Sequence, residues 1–164
     1  MITRILSISA LTVVAIQTPS VATAATIIAL GASQTYGHGV LKGQDYPSQL
    51  QAMLRAKGLN VSVQNAGVWG GSTTAAMRSK LESVLNPDTK VVILQPGRKR
   101  GGDDRQENIG QIKQVLAERH IRLIMIPNRW FKEFPRQSDH QHLTAEGFQG
   151  LAQKLLPKVV AALH

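Results

Sequence analysis

The chain has 164 residues, with 19 lysines and arginines against 10 acids for a formal charge of +9, and it contains no cysteine. Lack of thiols excludes disulfides, thiolate nucleophiles and zinc–thiolate sites. The basic balance favours anionic surfaces or acidic substrates. However, the cations are dispersed apart from "RKR" at 98–100 and aromatics make up only 4% of the chain, so base-stacking material is scarce and no nucleic-acid partner is expected.

Residues 1–24 read as an export signal: Arg4, then the apolar "ILSISALTVVAI", then "ATA" as a small-residue cleavage site. The apolar stretch is shorter than the ~20 residues a membrane-spanning helix needs, and "TPS" interrupts it. The expectation is a periplasmic or secreted protein with no stable membrane insertion after cleavage. Residues 25–164 then form a single domain, and because Arg4 is the only charge in the signal, that domain carries +8.

Four apolar runs predict strands: "TIIAL" at 26–30, "VSVQNA" at 61–66, "VVILQ" at 91–95 and "IRLIMI" at 121–126. Amphipathic stretches separate them. In the first, Tyr46, Leu50, Met53 and Leu54 share a helical face that "KG" at 57–58 terminates. Ser72 and Thr73 are capping candidates for a second helix with Met77, Leu81, Val84 and Leu85 inward. Asp103 and Asp104 open a third, with Ile109, Ile112, Val115 and Leu116 inward. The last helix starts at a Thr144 cap and aligns Phe148, Leu151, Leu155, Val159 and Leu163. Strand and helix alternate with a pitch of about 30 residues, the length of one βα unit, so the strands should be parallel and covered on both faces. The predicted fold is a doubly wound, flavodoxin-like α/β/α sandwich with four to five strands.

In such sheets, ligands bind beyond the carboxyl ends of the strands. The segments "GASQTYGHG", "NAGVWGGST", "PGRKRGG" and "SDHQHLT" all fall on that rim. Spacing excludes a Walker loop, since five residues separate Gly31 from Gly37 and His38 follows. It also excludes a dinucleotide G-x-G-x-x-G and the G-x-S-x-G elbow. What remains is Ser33 at a strand end, which needs a base to become a nucleophile. His142 lies in the loop before the last helix with Asp139 three residues earlier, a spacing at which the carboxylate can orient one ring nitrogen while the other faces Ser33. The same letters allow Asp139, His140 and His142 as metal ligands, but no second cluster completes a shell, so no metal or cofactor is expected. His38, His120 and His164 are expected on the surface.

These segments resemble the blocks of the GDSL-type, or SGNH, hydrolases over essentially all of residues 25–164. "LGASQTYGHGV" is similar to the first block, with Ser33 at the nucleophile and Ala32 where aspartate is common. "YPSQLQAMLRAKGLNVSVQNAGVWGGSTT" is similar to the second, which implies that the Gly70 N–H helps form an oxyanion hole. "DHQHLTAEGFQGLAQKLLP" is similar to the last, with Asp139 and His142 as its D-x-x-H pair. The third block departs: "RKRGG" follows Gly97, so Arg98 stands near the place of the family's oxyanion asparagine. Arg98 either donates to the oxyanion, holds an anionic group of the substrate, or belongs to a solvated loop.

The resemblance implies a serine hydrolase of esters or thioesters: short or medium acyl, aryl, lysophospholipid or acetyl-carbohydrate. Ser33, Asp139 and His142 are its catalytic residues, and Ser33, Gly70 and Arg98 its oxyanion donors. Trp69 and Trp130 lie on rim loops and are candidates for lining a shallow acyl groove. The competing expectation is a catalytically impaired relative that binds acidic glycans or lipids.

Overall fold

The computed structural model describes residues 24–69, 73–98 and 101–164. All but the last residue of the segment read as an export signal, together with Gly70 and Ser72, therefore lies outside the described residues. The four apolar runs are strands β1 (Ala25–Gly31), β2 (Val61–Gly67), β3 (Thr89–Gln95) and β4 (Arg122–Met125), all parallel in the order β2-β1-β3-β4.

A short helix, α1 (Ser33–Tyr36), follows β1 directly; its four residues carry no periodic pattern, and the sequence does not announce it. The longer helices are α2 (Tyr46–Ala56), α3 (Thr74–Val84), α4 (Arg105–Glu118) and α5 (Ala145–Leu163). Side chains alternate across a strand, so the continuous apolar runs of β1 and β3 serve two layers at once. Ile27, Ala29, Val91 and Ile93 meet α2 and α5 through Tyr46, Leu50, Phe148 and Leu155. Ile28, Leu30, Val92 and Leu94 meet α3 and α4 through Met77, Leu81, Ile112 and Leu116. Each fully buried Val, Ile, Leu, Met or Phe among these stabilises the sandwich by roughly 1.5–3 kcal/mol. The inward residues named from periodicity are buried or half-buried, and Asn108 joins them on α4.

Thr73 and Thr144 cap α3 and α5 by accepting from the N–H groups of Ala76 (3.2 Å) and Gly147 (3.1 Å). Helix α4 opens at Asp104, as the two acids predict. Asp104 makes no capping bond, and Asp103 instead accepts from the N–H (3.1 Å) and hydroxyl (2.6 Å) of Thr74, tying the starts of α3 and α4 together. Gly31 pairs with Gly67 on one side and Gln95 on the other, so three strands end level. Strand order reverses between β1 and β3, and a doubly wound sheet opens its crevice at such a point.

Candidate active site

The strand ends build the site from backbone outward. At Gly31 a Cβ would lie 2.7 Å from the Gln95 carbonyl oxygen, so only glycine lets β1 pass so close to β3 before turning. The Ala32 N–H then donates to the Gln95 side-chain oxygen (2.9 Å), which also accepts from the Thr35 hydroxyl (3.3 Å). That buried amide holds the turn that presents Ser33. Gly37 closes α1 in the left-handed region at φ 86°, its N–H donating to the Ser33 carbonyl (3.1 Å). From β2, the Asn65 amide donates to the Thr35 carbonyl (2.8 Å), while its oxygen accepts from the Gly67 N–H (2.9 Å).

The opposite wall is the segment between β4 and α5. It begins with a 3-10 turn over Asn128–Lys132 and ends in a tight turn in which His140 takes a positive φ of 56°. Asp139 Oδ1 accepts from the N–H groups of Gln141 (2.8 Å) and His142 (3.0 Å). The Gln34 amide donates to the Gln141 carbonyl (2.6 Å), and the Gln137 amide donates to the carbonyls of His38 (2.8 Å) and Leu143 (2.7 Å). Side-chain amides thus fasten this segment to α1 and to the loop that follows it.

The result places three expected residues in a line: Asp139 Oδ2 lies 2.5 Å from His142 Nδ1, and His142 Nε2 lies 2.9 Å from Ser33 Oγ. Hydrogen bonding to His142 first, and then to the Gln141 and His142 N–H groups, holds the Asp139 carboxyl well below the usual carboxylate range. An ionised carboxylate can only accept, so in a neutral imidazole the proton sits on Nδ1 and Nε2 is left to accept from the serine hydroxyl. Asp139 is the more open of the pair, its side chain 38% exposed against 16% for His142.

A cavity of about 380 Å³ opens over Ser33 and His142. Arg98 and Trp69 both line it. Trp130 does not: it is buried in the core beneath α5, where Lys154 stands 4.7 Å from its ring centroid, and its neighbour Phe131 reaches the cavity instead. An apolar side chain on a short helical turn is drawn to whichever layer it faces, and position 130 faces inward. Gly70, the other expected oxyanion donor, lies outside the described residues.

His38 departs from the surface placement expected for it. Its half-buried ring stacks on Trp69 with centroids 4.1 Å apart and meets the His142 ring edge-on at 4.5 Å. One donor atom each from His38, Asp139 and His142 falls within 4.8 Å of the others, an N₂O set of the type that suits zinc. Asp139 and His142, however, already spend their contacts on each other and on Ser33. His140 is exposed and contributes through its carbonyl, which accepts from Arg136 (2.9 Å). Asn128 also borders the cavity, its amide donating to the Gly97 carbonyl (3.1 Å). No motif marks these amides in the sequence.

No family model and no curated protein matches the chain. Among solved structures, the SGNH-hydrolase family esterase AlinE4 shares 26% identity at a TM-score of 0.56, over 88% of this chain and 100% of that one. TesA shares 18% identity at a TM-score of 0.66, over 84% of this chain and 97% of its own. The psychrotrophic esterase EstA from Pseudoalteromonas sp. shares 14% identity at a TM-score of 0.69, over 85% and 98%. The last two are likenesses of fold.

Proposed function

We propose that the chain is a GDSL/SGNH-type ester hydrolase, a reading supported by its likeness to the SGNH-hydrolase family esterase AlinE4, and that it works through a Ser33–His142–Asp139 acyl-enzyme mechanism. The observation that carries the proposal is the continuous contact from Asp139 through His142 to Ser33, at 2.5 and 2.9 Å. Ser33 Oγ attacks the acyl carbonyl as His142 Nε2 takes its proton; His142 then gives that proton to the departing alcohol or thiol. Water repeats the sequence and releases the acid. Asp139 keeps the imidazole in the right tautomer and stabilises the imidazolium. In this reading the N–H groups of Ser33 and Gly70 hold the oxyanion, with Arg98 beside them.

The substrates proposed are carboxylic esters or thioesters with short or medium acyl chains, including aryl, lysophospholipid and acetyl-carbohydrate esters. A cavity of about 380 Å³, walled on one side by Trp69, supports small groups over long chains. Action after export, in the periplasm or outside the cell, is proposed from the first 24 residues alone. Among the described residues, no helix is long and apolar enough to cross a membrane.

Turnover of a chromogenic short-chain ester and labelling by a serine-directed phosphonate test the mechanism. The wild-type chain should do both. Ser33→Ala should do neither, its turnover falling by roughly a thousandfold or more at unchanged fold. A folded wild-type chain that neither labels nor turns over defeats the proposal. That outcome would favour the second reading, a binding module for acidic glycans or lipids, for which the observation is Arg98 where the family's asparagine is missing.

A further inference from the structure

The walls of the cavity carry one sign of charge. Arg98 from the loop after β3, and Lys132 and Arg136 from the segment after β4, all border it together with Ser33 and His142. Behind them the Arg105 guanidinium donates to the carbonyls of Pro96 (3.3 Å) and Gly97 (3.0 Å), adding a fourth cation at the end of β3. Among the described residues, no aspartate or glutamate borders the cavity.

The nearby acids are engaged elsewhere: Asp139 with His142, Glu133 with Lys154, and Asp103 with Thr74. Among the described residues, none of the four cations forms an ion pair. A neutral ester can use Arg98 at its developing oxyanion but offers nothing to Lys132 and Arg136. Cations held unpaired around a concave site instead focus a positive potential, which concentrates an anionic ligand there and orients it.

We infer that this cavity selects esters bearing an anionic group, a carboxylate or phosphate carried on the acyl or the leaving side and held by Arg98, Lys132 and Arg136 while Ser33 attacks. The inference rests on the ester-hydrolase reading and names its substrate class. Arginine and lysine share the work differently. Arg98 offers a planar fork suited to two acceptor oxygens, Lys132 a point charge, and Arg136 a guanidinium already steadied by the His140 carbonyl.

The test compares kcat/KM for matched pairs. On the acyl side these are the 4-nitrophenyl monoester of adipic acid and 4-nitrophenyl hexanoate; on the leaving side, 4-acetoxybenzoate and 4-acetoxybenzamide, each corrected for spontaneous hydrolysis. At low ionic strength the wild-type chain should favour one anionic ester over its neutral partner by roughly threefold to tenfold. That preference should collapse at about 0.5 M salt, where the screening length shrinks to a few ångströms. The arm that shows it tells which side carries the anion. Separately, Lys132→Glu and Arg136→Glu should each lower the anionic-to-neutral ratio. Turnover of the neutral esters with no anionic preference in either arm overturns the inference and leaves the hydrolase reading standing. A wild-type chain inert to all four overturns both.

Discussion

Ser33 Oγ and His142 Nε2 stand 2.9 Å apart across 109 residues of chain. The contact transfers a proton only if the ring presents an unprotonated Nε2, and Asp139 enforces that state from the other nitrogen. Asp139→Asn keeps an oxygen for the Gln141 and His142 N–H groups, so the turn should hold while the tautomer is lost. Turnover should fall by about a thousandfold to ten-thousandfold with the fold, read by circular dichroism, unchanged. A loss under tenfold, measured by steady-state hydrolysis of a chromogenic ester, would show that the carboxylate is dispensable.

The same carboxyl makes a spectroscopic prediction. Its folded pKa is depressed, so the stability it contributes is present above the ordinary carboxylate value of about 3.9 and is lost only as pH falls through the lower folded value. In a ¹³C-detected titration between about pH 5 and 3, the Asp139 carboxyl signal should barely move while ordinary carboxylates titrate around it. A midpoint near 4 would mean that the bond to His142 does not persist in solution.

Tyr46 works in the opposite pH range. Burial in the apolar layer pushes its phenol upward most; the Asp45 charge adds to this, and the bond with the Thr35 hydroxyl (3.2 Å) opposes it. Since the folded pKa is raised, stability is intact below the unfolded value of about 10 and declines as pH climbs past it. Tyr46→Phe removes that ionisation at the cost of one hydrogen bond, about 1 kcal/mol. In urea unfolding it should therefore be less stable than wild type at pH 8 and lose less stability between pH 8 and 11. Parallel losses in the two proteins would contradict the buried phenol.

Two glycines should respond to alanine with opposite signs. At Gly67 a Cβ would lie 2.7 Å from the Thr35 carbonyl carbon and closer still to the Tyr36 backbone, so helix α1 must shift. Gly67→Ala should cost about 1–3 kcal/mol and reduce turnover as Ser33 moves with its helix. At Gly110, inside α4, nothing lies within 4 Å, and Gly110→Ala should stabilise by roughly 0.5–1 kcal/mol through helix propensity. Thermal melts of the two variants check both signs together.

The sandwich was legible because β1 and β3 are apolar at nearly every position and the stripes of α2, α3 and α5 keep a helical period; both patterns are direct consequences of two-sided burial. Ser33 was legible from its place at a strand end, and Asp139 with His142 from their separation of three residues. The supports were not. Gln34, Asn65 and Gln95 act through side-chain amides whose partners are backbone groups far along the chain, and such bonds leave no spacing to read. His38 and Trp69 meet by ring stacking between two loops, and nothing local distinguishes that histidine from a solvated one. Trp130 stands on a rim loop in the sequence but not at the rim in the fold, because its 3-10 turn sets the indole in the core, and loop position alone does not reveal that rotation.

The Gln34 amide grips the far loop at two points, donating to the Gln141 carbonyl and accepting from the Leu143 N–H (3.3 Å). Because Leu143 is itself sealed in the core just ahead of α5, this latch closes only when the terminal helix has docked. A polypeptide still short of its final helix would therefore carry Ser33 without the latch that holds His142 against it.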